Sequence, residues 1–135
     1  MLDMLELAAE YAGLGNNEND TRSFYLGAVG CRTDNRIVHA KNLSVIDRSI
    51  DQNRAYRKSI QAHAEYRLTR KLGFGATVYV ARVARGTKEF AMARPCELCQ
   101  AVLRSYRVEK VYYSINESQY GIWFPKTDKD RIYTV

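Results

Sequence analysis

Two short runs, ATVYVARV at residues 76–83 and KVYYSI at residues 110–115, most constrain what this chain can become. Their β-branched and aromatic residues fit a pleated surface. Each follows a stretch with the composition of a helix, the first from Ala62 to Leu72 and closed by Gly73 and Gly75, the second over residues 97–106. A third helix is predicted at the start, where Leu2, Leu5, Ala8, Ala9 and Ala12 recur at helical spacing before Gly13 and Gly15. The polar stretch GNNENDTRS then reads as a loop, and FYLGAVGC with RIVHAKN, joined by the turn-forming RTDN, as a hairpin ending near Asn42. Residues 43–60 are polar and weakly patterned, with room for short helical turns. After the expected turn ARGTKE, FAMA leads into Pro95; near the end, YGIWF and RIYTV are short strands around the turn-like PKTDKD. Helices alternating with strands in this way pack as layers on one central sheet.

At 135 residues, 46% hydrophobic and 27% charged with only 2 Pro, the chain has the profile of one globular domain spanning residues 1–135. The first residues, MLDMLELAAEYAG, carry Asp3, Glu6 and Glu10 and lack the basic and unbroken apolar regions of a signal peptide. No apolar run approaches the ~20 residues that span a bilayer. Membrane partners are therefore not expected, and a cytoplasmic location is. Three cysteines, two of them in PCELC, suit metal or redox chemistry in a reducing compartment better than a disulfide framework. The net charge of +6 favours anionic partners, and seven basic residues between Arg48 and Lys71 concentrate it around the word HAE. That stretch is equally readable as a solvated helix face.

HAE at residues 63–65 and PCELC at 95–99 carry the chemistry. Proline is accepted in the first turn of a helix, so Cys96 and Cys99 begin one, three residues apart and able to grip the same ion. The positive end of that helix favours thiolates, the form that ligates metal. His63 stands at the matching start of the preceding helix, giving three ligands whose charges cancel those of Zn²⁺. Three protein ligands leave a fourth position open, as in catalytic rather than structural zinc sites. Glu65, two residues after His63, points away from the ligand direction and suits the separate task of taking and returning a proton.

Joined in this order, the two words match the pattern of zinc nucleobase deaminases. The sequence resembles the cytidine deaminase superfamily from about Phe24 to Trp123, with His63-Ala64-Glu65 and Pro95-Cys96-Glu97-Leu98-Cys99 in place of the zinc-carrying words. The resemblance implies a three-layer α/β/α sandwich around a central mixed sheet. It also implies a zinc cofactor on His63, Cys96 and Cys99, with Glu65 as proton shuttle, and conversion of cytosine to uracil in a pyrimidine nucleoside or nucleotide. FYLGAV stands where the family has an aromatic-x-x-Gly-Ala strand, which implies that Phe24 lines the nucleoside pocket, Asn42 binds a sugar hydroxyl and the Ala64 backbone meets the base. Glu97 and Gln100 depart from the Gly and Arg common in free-nucleoside enzymes, whereas the short tail leaves little room for the long crossover of polynucleotide editors.

Other readings stay open beside it. A single-stranded DNA or RNA substrate is the second reading, adenine a second base, and a non-catalytic zinc-stabilised nucleic-acid-binding module or a homo-oligomer are further ones. Cys31 or His39 could supply a fourth, structural ligand, although Cys31 is expected as a small buried apolar residue. The tyrosines are expected mainly on the core and sheet faces, with base stacking as the alternative, and Trp123 is expected to close the core.

Overall fold

The structure, a computed structural model, describes residues 2–13, 24–42 and 63–135. Helix α1 (Leu2–Gly13) precedes the hairpin of β1 (Phe24–Cys31) and β2 (Ile37–Lys41). Helix α2 (Ala64–Leu72), β3 (Thr77–Ala84), β4 (Phe90–Ala91), helix α3 (Glu97–Ser105), β5 (Lys110–Ser114), β6 (Gln119–Phe124) and β7 (Lys129–Thr134) follow. The expected order of elements holds, with two refinements. FAMA contributes the two-residue strand β4, and β7 begins inside the turn-like PKTDKD, at Lys129. The expectations for residues 43–60, for GNNENDTRS and for Arg48, Arg54, Arg57 and Lys58 of the basic stretch lie outside the described residues.

The seven strands form one mixed sheet in the order β2-β1-β3-β5-β6-β7, with β4 also paired to β3. β3 and β5 run parallel, and the other pairings are antiparallel. A parallel pair needs a crossover, and α3 supplies it. Alternation along the strands sorts the two faces. Val29, Ala81, Tyr112 and Ile122 point to α1 and pack on Leu5 and Ala8. Ala28, Val78, Val80, Val111, Tyr113 and Trp123 point to the other face and enclose Leu68 and Leu72 of α2 with Leu103 of α3. The fold is thus the expected α/β/α sandwich, with α1 on one side of the sheet and α2 and α3 on the other.

Two contacts explain why the layers close as they do. A Cβ on Gly27 would lie 2.1 Å from the carbonyl oxygen of Ala8, so only glycine lets α1 come down onto β1. Across β5 and β6, Tyr113 faces Gly121 and lays its ring over it, at 2.3 Å from where a Cβ would stand. The ring covers the strand position that glycine leaves bare.

Most of the tyrosines do serve the sheet. Tyr79 stacks on Tyr112 with centroids 4.7 Å apart and Tyr120 on Tyr133 at 5.3 Å, each pair on neighbouring strands. Trp123 is fully buried and its indole N–H donates to Asp128 Oδ1 at 2.9 Å, closing the core as expected. Cys31 departs from expectation: it is half-exposed at the end of β1 rather than buried, because the strand runs out there at the hairpin turn. Among the described residues, no helix is long and apolar enough to cross a membrane.

Candidate functional site

Both chemistry-bearing words sit where a helix begins. His63 is the N-cap of α2 and Cys96 the N-cap of α3, each with extended backbone and neither spending its side chain on capping. Ser, Thr, Asp or Asn usually stands at this position and satisfies a terminal N–H. Here it holds soft ligands instead. Pro95 forces the extended entry into α3, and buried Gln100 donates from Nε2 to the Pro95 carbonyl at 2.8 Å, which pins the start of the helix to its own second turn.

The two helix starts converge. His63 Nδ1 lies 3.3 Å from Cys99 Sγ and 3.6 Å from Cys96 Sγ, and all three ligand atoms fall within 4.8 Å of one another. Bond lengths of ~2.0 Å to nitrogen and ~2.3 Å to sulfur at a tetrahedral angle separate the two atoms by about 3.5 Å. The three side chains are therefore spaced to hold a metal ion, and the His-Cys-Cys donor set suits zinc. Burial pushes the Cys99 thiol strongly up, with the Glu65 and Cys96 charges adding to it, and pulls the His63 ring down. A half-buried neutral imidazole is ready to ligate, whereas the thiol must shed its proton to do so. Cys31 and His39 are not members of the cluster. Cys31 closes β1 at the end opposite Phe24, and His39 is exposed, its ring stacked on Tyr11 at 3.7 Å.

Glu65, in the first turn of α2, is 3% exposed, and its Oε1 is buried with no hydrogen-bond partner among the described residues. Loss of water raises its pKa from 4.5 to about 7, against smaller opposing contributions from the local backbone and the Cys99 side chain. A carboxyl poised near neutrality takes and returns protons readily. Both Glu65 and the metal-ligand candidates His63 and Cys96 line one pocket of about 310 Å³.

No known family model and no curated protein matches the chain. Solved structures do. The cytidine deaminase from Mycobacterium tuberculosis is 17% identical, covering 85% of this chain and 88% of its own, with a TM-score of 0.53. The enzyme from Mycobacterium leprae is 16% identical over 98% of this chain and 90% of its own, TM-score 0.52. That from Burkholderia pseudomallei is 14% identical over 98% and 91%, TM-score 0.54. This chain has the cytidine deaminase fold.

Within the cytidine deaminase fold the remaining predicted residues take these places. Phe24, at the start of β1, and Asn42, just past β2, both line the pocket. Asn42 continues the hairpin ladder, accepting at Oδ1 from the Leu26 N–H at 2.9 Å and donating its own N–H to the Leu26 carbonyl at 3.0 Å. Ala64 is fully buried between His63 and Glu65 and is not part of the pocket wall.

Two arginines of the wall escaped the sequence reading. Arg94, next to Pro95, is held by Asp130 through two bonds of 2.8 and 2.9 Å, and Tyr113 donates to the same carboxylate at 2.5 Å. The Arg94 guanidinium and the Tyr113 hydroxyl keep the Asp130 carboxyl below the usual range. Arg82 lies on β3 with its guanidinium carbon 4.2 Å from the Phe24 ring centroid. A signal for Arg82 was present: it is in phase with Val78 and Val80, so a cation stands where that face is otherwise apolar. None was present for Arg94, whose partner lies 36 residues away.

Proposed function

We propose that residues 1–135 form a zinc-dependent hydrolytic deaminase that converts cytosine to uracil in a cytidine or deoxycytidine nucleoside or nucleotide. The observation that carries this reading is one pocket lined by His63 and Cys96 of the His63–Cys96–Cys99 cluster and by a buried carboxyl with an unpartnered oxygen, Glu65. The likeness in fold to proteins named cytidine deaminases supports it.

In this reading His63, Cys96 and Cys99 hold Zn²⁺, which when bound supplies Lewis-acid activation of water for attack on C4 of the ring. Glu65 takes one proton released from the water at its unpartnered Oε1 and delivers it to N3 of the base; it then takes the second, from the hydroxyl added at C4 as the C4 carbonyl forms, and delivers it to the departing amino group, so that the C4–N bond breaks, ammonia leaves and uracil remains. The carboxyl can serve in both directions because burial sets its pKa near 7 rather than 4.5. Phe24 packs against the nucleoside, and the Asn42 amide, oriented by its bond to Leu26, meets a sugar hydroxyl. A cytoplasmic setting suits the two reduced cysteines of the cluster.

The test is zinc-loaded protein incubated with cytidine, deoxycytidine, their 5′-monophosphates, adenosine and a cytosine-containing oligonucleotide, with uracil, hypoxanthine and ammonia measured in each. Uracil from a cytosine substrate, lost in Glu65→Gln protein that retains its zinc, is expected. Retained zinc and full activity in that variant would refute the shuttle. Bound zinc with no ammonia from any substrate would replace the enzyme with a zinc-stabilised binding module.

A further inference from the structure

We infer that Arg82 is an anion-reading residue of this pocket, so that the substrate is a cytosine nucleotide unit bearing phosphate on its sugar rather than a neutral nucleoside. The inference rests on the proposed deaminase reading and names the substrate class of that site.

Two guanidinium groups line the pocket, and they are in opposite electrostatic states. Arg94 is clamped by both oxygens of Asp130 and its charge is matched. Arg82 has no carboxylate within ion-pair distance among the described residues; it contacts the Phe24 ring, and its backbone N–H donates to Ser114 Oγ at 3.1 Å. Stacking against a ring leaves the in-plane N–H donors of a guanidinium unspent. A half-buried cation with its donors available on the wall of a pocket calls for an anion from outside. The metal cluster does not compete for that role, since two thiolates cancel the charge of a divalent ion.

The sheet places Arg82 where such a group would arrive. Leu26 of β1 is the register partner of Arg82 on β3, and on its other side it exchanges hydrogen bonds with Asn42. Asn42, Leu26 and Arg82 thus form one row across the sheet, and at ~4.8 Å per strand the two outer residues start about 10 Å apart. That span suits a ribose contacted at one end by the Asn42 amide and a phosphate on it met at the other by the Arg82 fork. The pocket volume of about 310 Å³ is at the small end of the range for small-molecule sites, enough for one nucleotide unit.

The test compares kcat/KM of zinc-loaded wild type and Arg82→Gln for cytidine, cytidine 5′-monophosphate, the corresponding deoxy pair and a short single strand with one central deoxycytidine. Wild type is expected to favour a phosphorylated substrate over its nucleoside. A lost charge-assisted contact is on the order of 10- to 100-fold, so Arg82→Gln should cost the phosphorylated substrate at least tenfold more than the nucleoside. Arg82→Lys should recover part of that loss. Arg82-dependent activity on the monophosphate alone assigns a terminal phosphate; the same dependence on the oligonucleotide assigns a phosphodiester. Equal losses on nucleoside and nucleotide, or a wild type that prefers cytidine, would overturn the inference. If nothing is turned over, calorimetric titration of the same proteins with cytidine 5′-monophosphate and cytidine decides it separately. Monophosphate binding that needs Arg82 upholds the anion site while the deaminase reading falls; binding that ignores Arg82, or none, overturns both.

Discussion

Glu65 lets the structure be tested without reference to catalysis. Its carboxyl is buried, one oxygen has no partner, and its pKa of about 7 stands against an ordinary value of 4.5. A raised folded-state pKa means that the folded protein binds the proton more tightly than the unfolded chain does. Stability of the metal-free protein is then fully present below about pH 4.5, falls as pH rises toward 7, and levels off above. At ~1.4 kcal/mol per tenfold difference in proton affinity, the loss across that window is about 3 kcal/mol. His63 works in the opposite sense. Its depressed pKa makes the unfolded chain the tighter proton binder, so its contribution rises with pH up to the ordinary value of 6.5. Comparing wild type with Glu65→Gln removes the histidine from the difference, because both proteins carry it and glutamine has nearly the same shape. Urea unfolding with chelator and reductant at pH 4.5, 6 and 8 is the assay. The glutamine variant should gain about 3 kcal/mol on wild type between the first and last pH, a relative midpoint displacement of roughly 1–3 M. Parallel pH dependences would mean that the carboxyl is hydrated in the folded protein, and the account of a desolvated proton carrier would fail with it.

Other parts of the structure make independent predictions. Gly27→Ala should destabilise by about 2 kcal/mol or more by urea unfolding, because its Cβ would press on the Ala8 carbonyl; Gly86→Ala, where nothing lies within 4 Å, should change stability by less than ~0.5 kcal/mol. Asp130→Asn should cost about 1 kcal/mol at pH 7 by loosening Arg94 and Tyr113. That cost should disappear as pH falls through the depressed pKa of Asp130. Zinc added to the chelated protein should raise its melting temperature, and the rise should vanish in Cys99→Ala by differential scanning fluorimetry.

What could be read from the residues depended on how far apart the cause and the effect lie along the chain. α1, the first hairpin and both helix starts follow from local rules, apolar spacing before Gly13, the turn at RTDN with Asn35 at φ 69°, and Pro95 ahead of Cys96. The same rules located His63, Cys96 and Cys99, since a motif states identity and spacing directly. β4 could not be read, because two residues carry no periodicity and Phe90–Ala91 is a strand only by pairing with Arg82 and Val83. The ion pair of Arg94 with Asp130 is equally invisible, being created when β6 and β7 fold back beside α3. Glu65 shows the division most clearly. Its place in HAE marked it as a proton carrier, but its altered acidity comes from a core that forms around it.

β4 occupies the side of β3 that β5 uses further along the same strand, and Ser114 joins the three. Its hydroxyl accepts from the Arg82 N–H and donates to the Ala91 carbonyl at 2.7 Å, while its carbonyl accepts from the Ala93 N–H at 2.9 Å. The segment that delivers Cys96 is therefore tethered downstream of the excursion through residues 85–89, not through it. Length changes in that excursion would be absorbed at the surface, which makes the tip around Gly86 a natural splice point for added sequence that leaves the cysteine-bearing helix where it is.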